Sequence, residues 1–211
     1  MLTLFLIFLS IWPANTADPK CPEHFVLVTR EPNAMNSYTK HWCLTVVSAQ
    51  QDIRNRDFAR SLCISKNSTL SIPANEEEAE ALAGLINKNT SYEMGFAMDG
   101  EITAKCRSQF FRTERQFPKE KGECAVQGDL FAFDDNHTDP TFIKKEFDFV
   151  PSQYASHSVE KSPTVQELTA CAVLTWKHND NITRQYANLA FCYKTEGTER
   201  IYSAVCGRLP L

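Results

Sequence analysis

Apolar and polar positions along the chain divide it into short strands, two helices and one long stretch without period. Residues 21–28, CPEHFVLV, and 41–47, HWCLTVV, are rich in β-branched and aromatic side chains and predict two strands; EPNAMNS between them is turn chemistry. Cys21 with Cys43 is then a plausible staple across an amino-terminal hairpin. Ser48 followed three residues later by Gln51 reads as a capping box, and the spacing predicts a first helix over about 49–65. At about 100° per residue, Ala49, Ile53, Ala59 and Cys63 share one face of it, so the Cys63 thiol points with the apolar stripe toward the core.

A short strand around Leu70 to Ile72 comes next, then a second helix with Asn75 as its N-cap and Glu78 at N3. Glu76 and Glu77 favour the positive end of that helix dipole, and Ala79, Leu82, Ala83 and Ile86 form its buried stripe. This cap accounts for the acidic cluster without a glycosidase carboxylate pair. From Phe96 to Leu168 periodicity is lost, the mark of a functional loop region or of disorder. Cys106 and Cys124, if paired, pin a loop holding Lys105, Arg107, Arg112, Arg115, Lys119 and Lys121, with Glu114, Glu120 and Glu123 interleaved. Such alternation reads as a solvated mixed-charge surface rather than an anion site. The chain closes on CAVLTW at 171–176, FCY at 191–193 and AVCG at 204–207, which predict terminal strands. A bridge from Cys63 to Cys206 would tie the first helix to the last strand, closing a loop whose chain entropy is on the order of 5 kcal/mol.

The first residues change the compartment. LTLFLIFLSIW is too short to span a bilayer and is followed by small and polar residues, which reads as a signal peptide over 1–17 and leaves 18–211 as a single exported domain. No second apolar run of membrane length follows, so no membrane span is expected. All eight cysteines lie beyond the signal, and in an exported chain disulfides are their default use. No Cys-x-x-Cys and no His at ligand spacing supports zinc. Four sequons, at Asn67, Asn89, Asn136 and Asn181, are candidates for glycans on exposed loops. A formal charge of -4 with scattered basic residues gives no sign of a nucleic-acid partner.

An ordered set of residues carries a resemblance: Ala59-x-x-x-Cys63, Leu70-Ser71-Ile72, Glu77, Met94-Gly95-Phe96, Phe133-x-Asp135, Cys171, Cys192 and Cys206-Gly207. Together they resemble the C-type lectin-like domain, most closely its secreted single-domain members in nematodes, over about 21–208. The resemblance implies an α+β fold: two helices flanking two small antiparallel sheets, ends brought together, and a long loop region that carries binding. It also implies the pairings Cys63 with Cys206 and Cys171 with Cys192, and a setting in extracellular recognition or innate immunity. Glu93-Met94-Gly95-Phe96 stands where the family has Trp-Ile-Gly-Leu, and Phe133-Asp134-Asp135-Asn136 where it has Trp-x-Asp-Gly.

In sugar-binding members calcium is held by a Glu-Pro-Asn or Gln-Pro-Asp tripeptide in the long loop and by Trp-Asn-Asp before the penultimate cysteine, since hard Ca²⁺ takes six to eight oxygens. Here Glu31-Pro32-Asn33 precedes helix one, and Ala187-Asn188-Leu189 offers one acceptor where two are wanted. Asp134 to Asp139 is the richest oxygen cluster, without the glycine and twelfth-position glutamate of an EF-hand. The expectation is a secreted binding protein for a glycan or an extracellular protein, with no calcium site, other metal or cofactor. The alternative is a structural or inhibitory disulfide-rich protein with no glycan affinity, for which an exposed patch among Phe110, Phe111, Phe117, Phe131, Phe142, Phe147 and Phe149 would be the sign. Catalysis is not expected: there is no Gly-x-Ser-x-Gly and no His-Glu-x-x-His, and the five histidines fall singly.

Overall fold

The structure, a computed structural model, describes residues 18–53, 55–85, 94–110, 121–146, 172–179, 182–191 and 201–211. Residues 1–17, where a signal peptide is expected, and Cys171, Cys192, Asn89 and Asn181 lie outside them. Strands β1 (Val26–Thr29) and β2 (His41–Ser48) form the amino-terminal hairpin, with Cys21 bonded to Cys43. Helix α1 runs Arg56–Ile64, seven residues later than the capping box at Ser48 predicts. Ser48 is still strand, Ala49 N donates to Tyr202 O and Ile53 N to Ile201 O, so this backbone is held by sheet-side partners. Asn55 is the cap instead, its side chain accepting from Phe58 N. Ala59 and Cys63 are fully buried on α1, and Ile53 is buried ahead of it.

Strand β3 (Thr69–Leu70) is followed by helix α2 (Glu76–Gly84), where Asn75 accepts from Glu78 N as the pattern predicts. Ala79 and Leu82 are buried and Ala83 is half-buried; Ile86 lies outside the described residues. The aperiodic stretch holds short elements: the end of β4 (Met94–Met98), β5 (Glu101–Ile102), α3 (Ala104–Phe110), β6 (Phe131–Ala132) and α4 (Thr141–Glu146). At two to seven residues they are too short to show a period. Cys106 is bonded to Cys124, Thr103 N donates to Leu130 O, and Lys144 Nζ donates to Gly128 O, which together knit 121–130 onto α3 and α4. Strands β7 (Ala172–Asn179), β8 (Ile182–Phe191) and β9 (Ile201–Arg208) complete the chain.

The main sheet has the order β1-β2-β9-β4-β7-β8, and β5 pairs with β6 separately. β9 is its centre. β2 covers one edge of β9 from Ser203 to Arg208, while the other edge is shared: parallel β4 along the first half and antiparallel β3 along the second. Alternation divides the sheet's two faces. Trp42, Leu44, Phe96, Met98 and Val205 face a core with Ala79 and Leu82 of α2, whereas Leu70, Ala97, Ala204 and Cys206 face α1, where Cys206 is bonded to Cys63. Ile201 breaks parity and joins the α1 side. The β4–β9 register passes from Gly95↔Ile201 to Phe96↔Ser203, skipping Tyr202, and an extra residue on one strand turns its neighbours to opposite faces. The chain ends meet where Leu211 N donates to Lys20 O, 2.8 Å away. Among the described residues no helix is long and apolar enough to cross a membrane.

Gly207 on β9 lies flat against the Trp42 indole. A Cβ there would fall 2.6 Å from Trp42 Cε2 and closer still to Nε1. Gly207→Ala should therefore displace the indole and destabilise the fold by about 1–3 kcal/mol, the usual cost of overpacking. Urea unfolding should show a lower midpoint at unchanged slope, and an unchanged midpoint would mean that the indole yields freely.

Candidate functional site

The described part of the loop region is fastened by buried charges that come from distant parts of the chain. Asp99, at the end of β4, is fully buried, and both carboxylate oxygens accept. Arg56 Nη2 at 2.5 Å and Gly100 N at 2.9 Å donate to Oδ1; Asp134 N at 2.6 Å and Asp135 N at 2.7 Å donate to Oδ2. Strand β4, helix α1 and the 134–135 turn thus meet on one carboxylate. Burial pushes the Asp99 carboxyl above the usual carboxylate range, outweighing the amide of Asp135 and the guanidinium of Arg56 that favour its charged form. Asp134 goes the other way. Its partial burial would raise it, but Arg56, whose Nη2 lies 2.9 Å from Asp134 Oδ2, and then Arg60, hold it below the usual range. Arg56 itself is raised: burial opposes its charge, and Asp99 and then Asp134 more than offset that.

Asp135, nearly buried, organises the next turn. Ser71 Oγ and, at 2.6 Å, Thr138 Oγ1 donate to its Oδ2, while His137 N donates to Oδ1 at 2.8 Å. Thr138 Oγ1 accepts in turn from Arg30 Nη1 at 2.7 Å, and the same nitrogen donates to His137 O. Arg30 completes its fork on Glu78, Nε to Oε1 and Nη2 to Oε2, both at 2.8 Å, with 2% and 3% of the two side chains exposed. The pair is bidentate and desolvated, the strongest form such a contact takes. Glu78 is therefore more than a cap residue, although its Oε2 also accepts Ala74 N. Trp42 lies under this turn: His137 stacks on it at 4.6 Å, the Arg30 Cζ is 5.7 Å from its ring, and Nε1 donates to Ser71 Oγ.

The carboxylates that the sequence singles out as oxygen donors are therefore engaged with the protein itself. Asp139 Oδ1 accepts Thr141 N and Oγ1, and its Oδ2 is 3.5 Å from Asn33 Nδ2. Glu31-Pro32-Asn33 does come beside the 134–139 turn, which linear order hides; Asn33 Oδ1 is occupied capping a short 3-10 helix at 34–36. Among the described residues no group of three or more His, Cys, Asp or Glu side chains is placed to hold a metal ion. In the mixed-charge loop, Lys105 pairs with Glu123 and Arg107 with Glu101; Arg112, Glu114, Arg115, Lys119 and Glu120 lie outside the described residues. Phe131 is buried and Phe142 packs against the core; Phe111, Phe117, Phe147 and Phe149 lie outside, and only the backbone of Phe110 is described. Asn67 and Asn136 are exposed. A cleft of about 350 Å³ opens between the 67–69 turn, His137, Trp42 and the 207–210 segment.

Arg30, Arg56 and Asp99 carry this arrangement, and sequence reading passes over all three. Asp99-Gly100 after a strand reads as an ordinary turn, and Gly100 does have φ +140°. Asp134, Asp135 and Asp139 stand out in advance as an oxygen cluster, and Glu78 only as a cap residue.

The family C-type lectin domain-containing protein 141/158 matches this chain over residues 27–209. The C-type lectin domain-containing protein 158 of Caenorhabditis elegans is 27% identical over 203 residues, covering 90% of this chain and 89% of that protein. Among solved structures, human lithostathine is 14% identical with a TM-score of 0.46, covering 94% of this chain and 99% of that one. A calcium-independent type II antifreeze protein is 10% identical with a TM-score of 0.46, covering 93% and 99%.

Asp99→Asn keeps the shape but sets an amide NH2 against two of the four donors, whichever way the amide is turned. It should cost near the lower end of roughly 3–5 kcal/mol, because Arg56 keeps Asp134 as a partner. Urea unfolding checks this, and an unchanged midpoint would show that the carboxylate is not the anchor. The two aspartates also set opposite acid responses. Asp134, depressed, contributes stability above its ordinary value of 3.8 that is lost as pH falls through its folded value. Asp99, raised, contributes stability below 3.8 that is lost as pH rises through its folded value. Asp134→Asn should therefore flatten the fall in melting temperature below pH 3.8. An identical acid limb in wild type and variant would refute that assignment.

Proposed function

This chain belongs to the C-type lectin domain-containing protein 141/158 family, and we propose that it is a secreted, non-catalytic binding protein whose loop region recognises a carbohydrate or an extracellular protein without calcium. Residues 1–17 act as the signal and 18–211 form one lectin-like domain; Asn67, Asn89, Asn136 and Asn181 accept glycans. A pairing of Cys171 with Cys192 completes the disulfide set.

The observation that carries the calcium-free reading is the engagement of Asp134, Asp135 and Asp139. A calcium ion would have to break the Arg56, Ser71, Thr138 and Thr141 hydrogen bonds before it gained an oxygen. Recognition then rests on hydrogen bonds and apolar contacts from a surface already held rigid, which lowers the entropy cost of binding. That surface includes residues 101–110 and the knitted 121–129, where Lys105, Arg107, Glu101 and Glu123 are partly exposed charges.

A glycan array probed with the secreted protein, once with calcium and once with a chelator, tests the reading. Binding in both arms is the expected result. Binding lost in chelator overturns the calcium-free mechanism, and no binding in either arm removes the carbohydrate reading and leaves a protein ligand.

A further inference from the structure

Two of the four sequons end on the same concavity. Asn67 and its neighbours Ser68 and Thr69 line one wall of the 350 Å³ cleft, and His137, the middle residue of the sequon at Asn136, lines another. We infer that N-linked glycans on Asn67 and Asn136 together roof this cleft, making it a shielded face and leaving ligand recognition to the side formed by residues 101–110 and 121–129. The inference rests on the proposed secretion.

Local geometry supports both attachment points. Asn67 is exposed just past α1 with φ +52°, a left-handed position that asparagine tolerates. Its turn is held by Ser68 Oγ donating to Cys63 O at 2.7 Å, and Ser68 N also donates to Cys63 O. Asn136 is exposed while its carbonyl accepts Ser37 Oγ at 2.8 Å. Both stems therefore leave from fixed backbone, which limits how far the attached sugars swing from the cleft. The rest of the lining suits them. Leu209, 51% exposed, and Pro210 give apolar surface that the ring faces of sugars can cover, with Arg208 beside them for hydroxyls.

The fold also sets when the sugars are added. The transferring enzyme must engage the hydroxyl of the third sequon residue. At Asn136 this is Thr138, 1% exposed, with its hydroxyl held between Asp135 and Arg30. Thr69 sits in β3, paired with Gly207 near the other end of the chain. The Asn136 sequon is thus open while the chain is entering the secretory compartment and closed to the enzyme afterwards, whereas half-buried Thr69 leaves the Asn67 sequon less restricted. In the transfer, Asn Nδ2 bonds to the anomeric carbon of a polyisoprenyl-pyrophosphate oligosaccharide. The carbon–oxygen bond to pyrophosphate breaks, Nδ2 loses one proton, and the lipid pyrophosphate leaves.

The test uses the full chain expressed in a eukaryotic secretory host. Peptide mass analysis after enzymatic glycan release in oxygen-labelled water reads occupancy at Asn67 and Asn136. Diethylpyrocarbonate labelling then reads the roof: His137 should react several-fold faster after glycan release, with the exposed His24 unchanged as control. The double variant Asn67→Gln with Asn136→Gln should show the faster His137 rate without any enzyme. Equal His137 rates before and after release, or a bare Asn67 or Asn136 in secreted protein, overturn the inference and leave the secretion reading standing. A chain that never reaches the medium overturns both.

Discussion

One buried seam of charge holds α1 and α2 to the loop region. It runs from Glu78 on α2 to Arg30, through Thr138 to Asp135, and across the 134–135 backbone to Asp99 and Arg56 on α1. Each member would be costly alone in the interior, and each is satisfied by its neighbours. The 134–139 turn is consequently not a free loop laid on the surface. It is the piece through which two ion pairs communicate, and Trp42 lies beneath it as a flat apolar base.

Such a seam contributes less to net stability than its contacts suggest, because desolvating its five charged side chains offsets much of their attraction. Its stronger effect is on geometry. An arginine fork on a carboxylate tolerates few arrangements, so the turn has a single seat between α1, α2 and the β4 end. The disulfides act on the same frame from other sides: Cys63–Cys206 clamps α1 to the central strand, and Cys106–Cys124 closes the knitted 121–130 segment onto α3. A rigid frame under an irregular surface is what a binding module of the C-type lectin-like fold requires.

The same engagement bears on chemistry. Carboxylates committed to arginines and hydroxyls are poor metal ligands, since coordination would leave their former donors buried and unpaired. Paired surface charges at Lys105–Glu123 and Arg107–Glu101 present both signs side by side rather than one field. That favours partners read by local hydrogen bonding over partners steered by net charge.

By itself the sequence determined what depends on neighbours along the chain. The strands at 26–29 and 41–48, the Asn75 cap, the buried face of Ala59 and Cys63, the ordered residues that resemble the lectin-like domain, and the sequons were all legible, because propensity, capping and alternation act over a few residues. The start of α1 was misread because a capping box at Ser48 competes with strand pairing that only β9 supplies. The short elements between Phe96 and Leu168 were invisible for want of length. Tertiary structure alone decided the seam: Arg30 meets Glu78 across 48 residues and Thr138 across 108, and Arg56 meets Asp99 across 43. Nothing local marks which arginine takes which carboxylate, since that pairing follows from how the sheet, the two helices and the turn close around a shared dry interior.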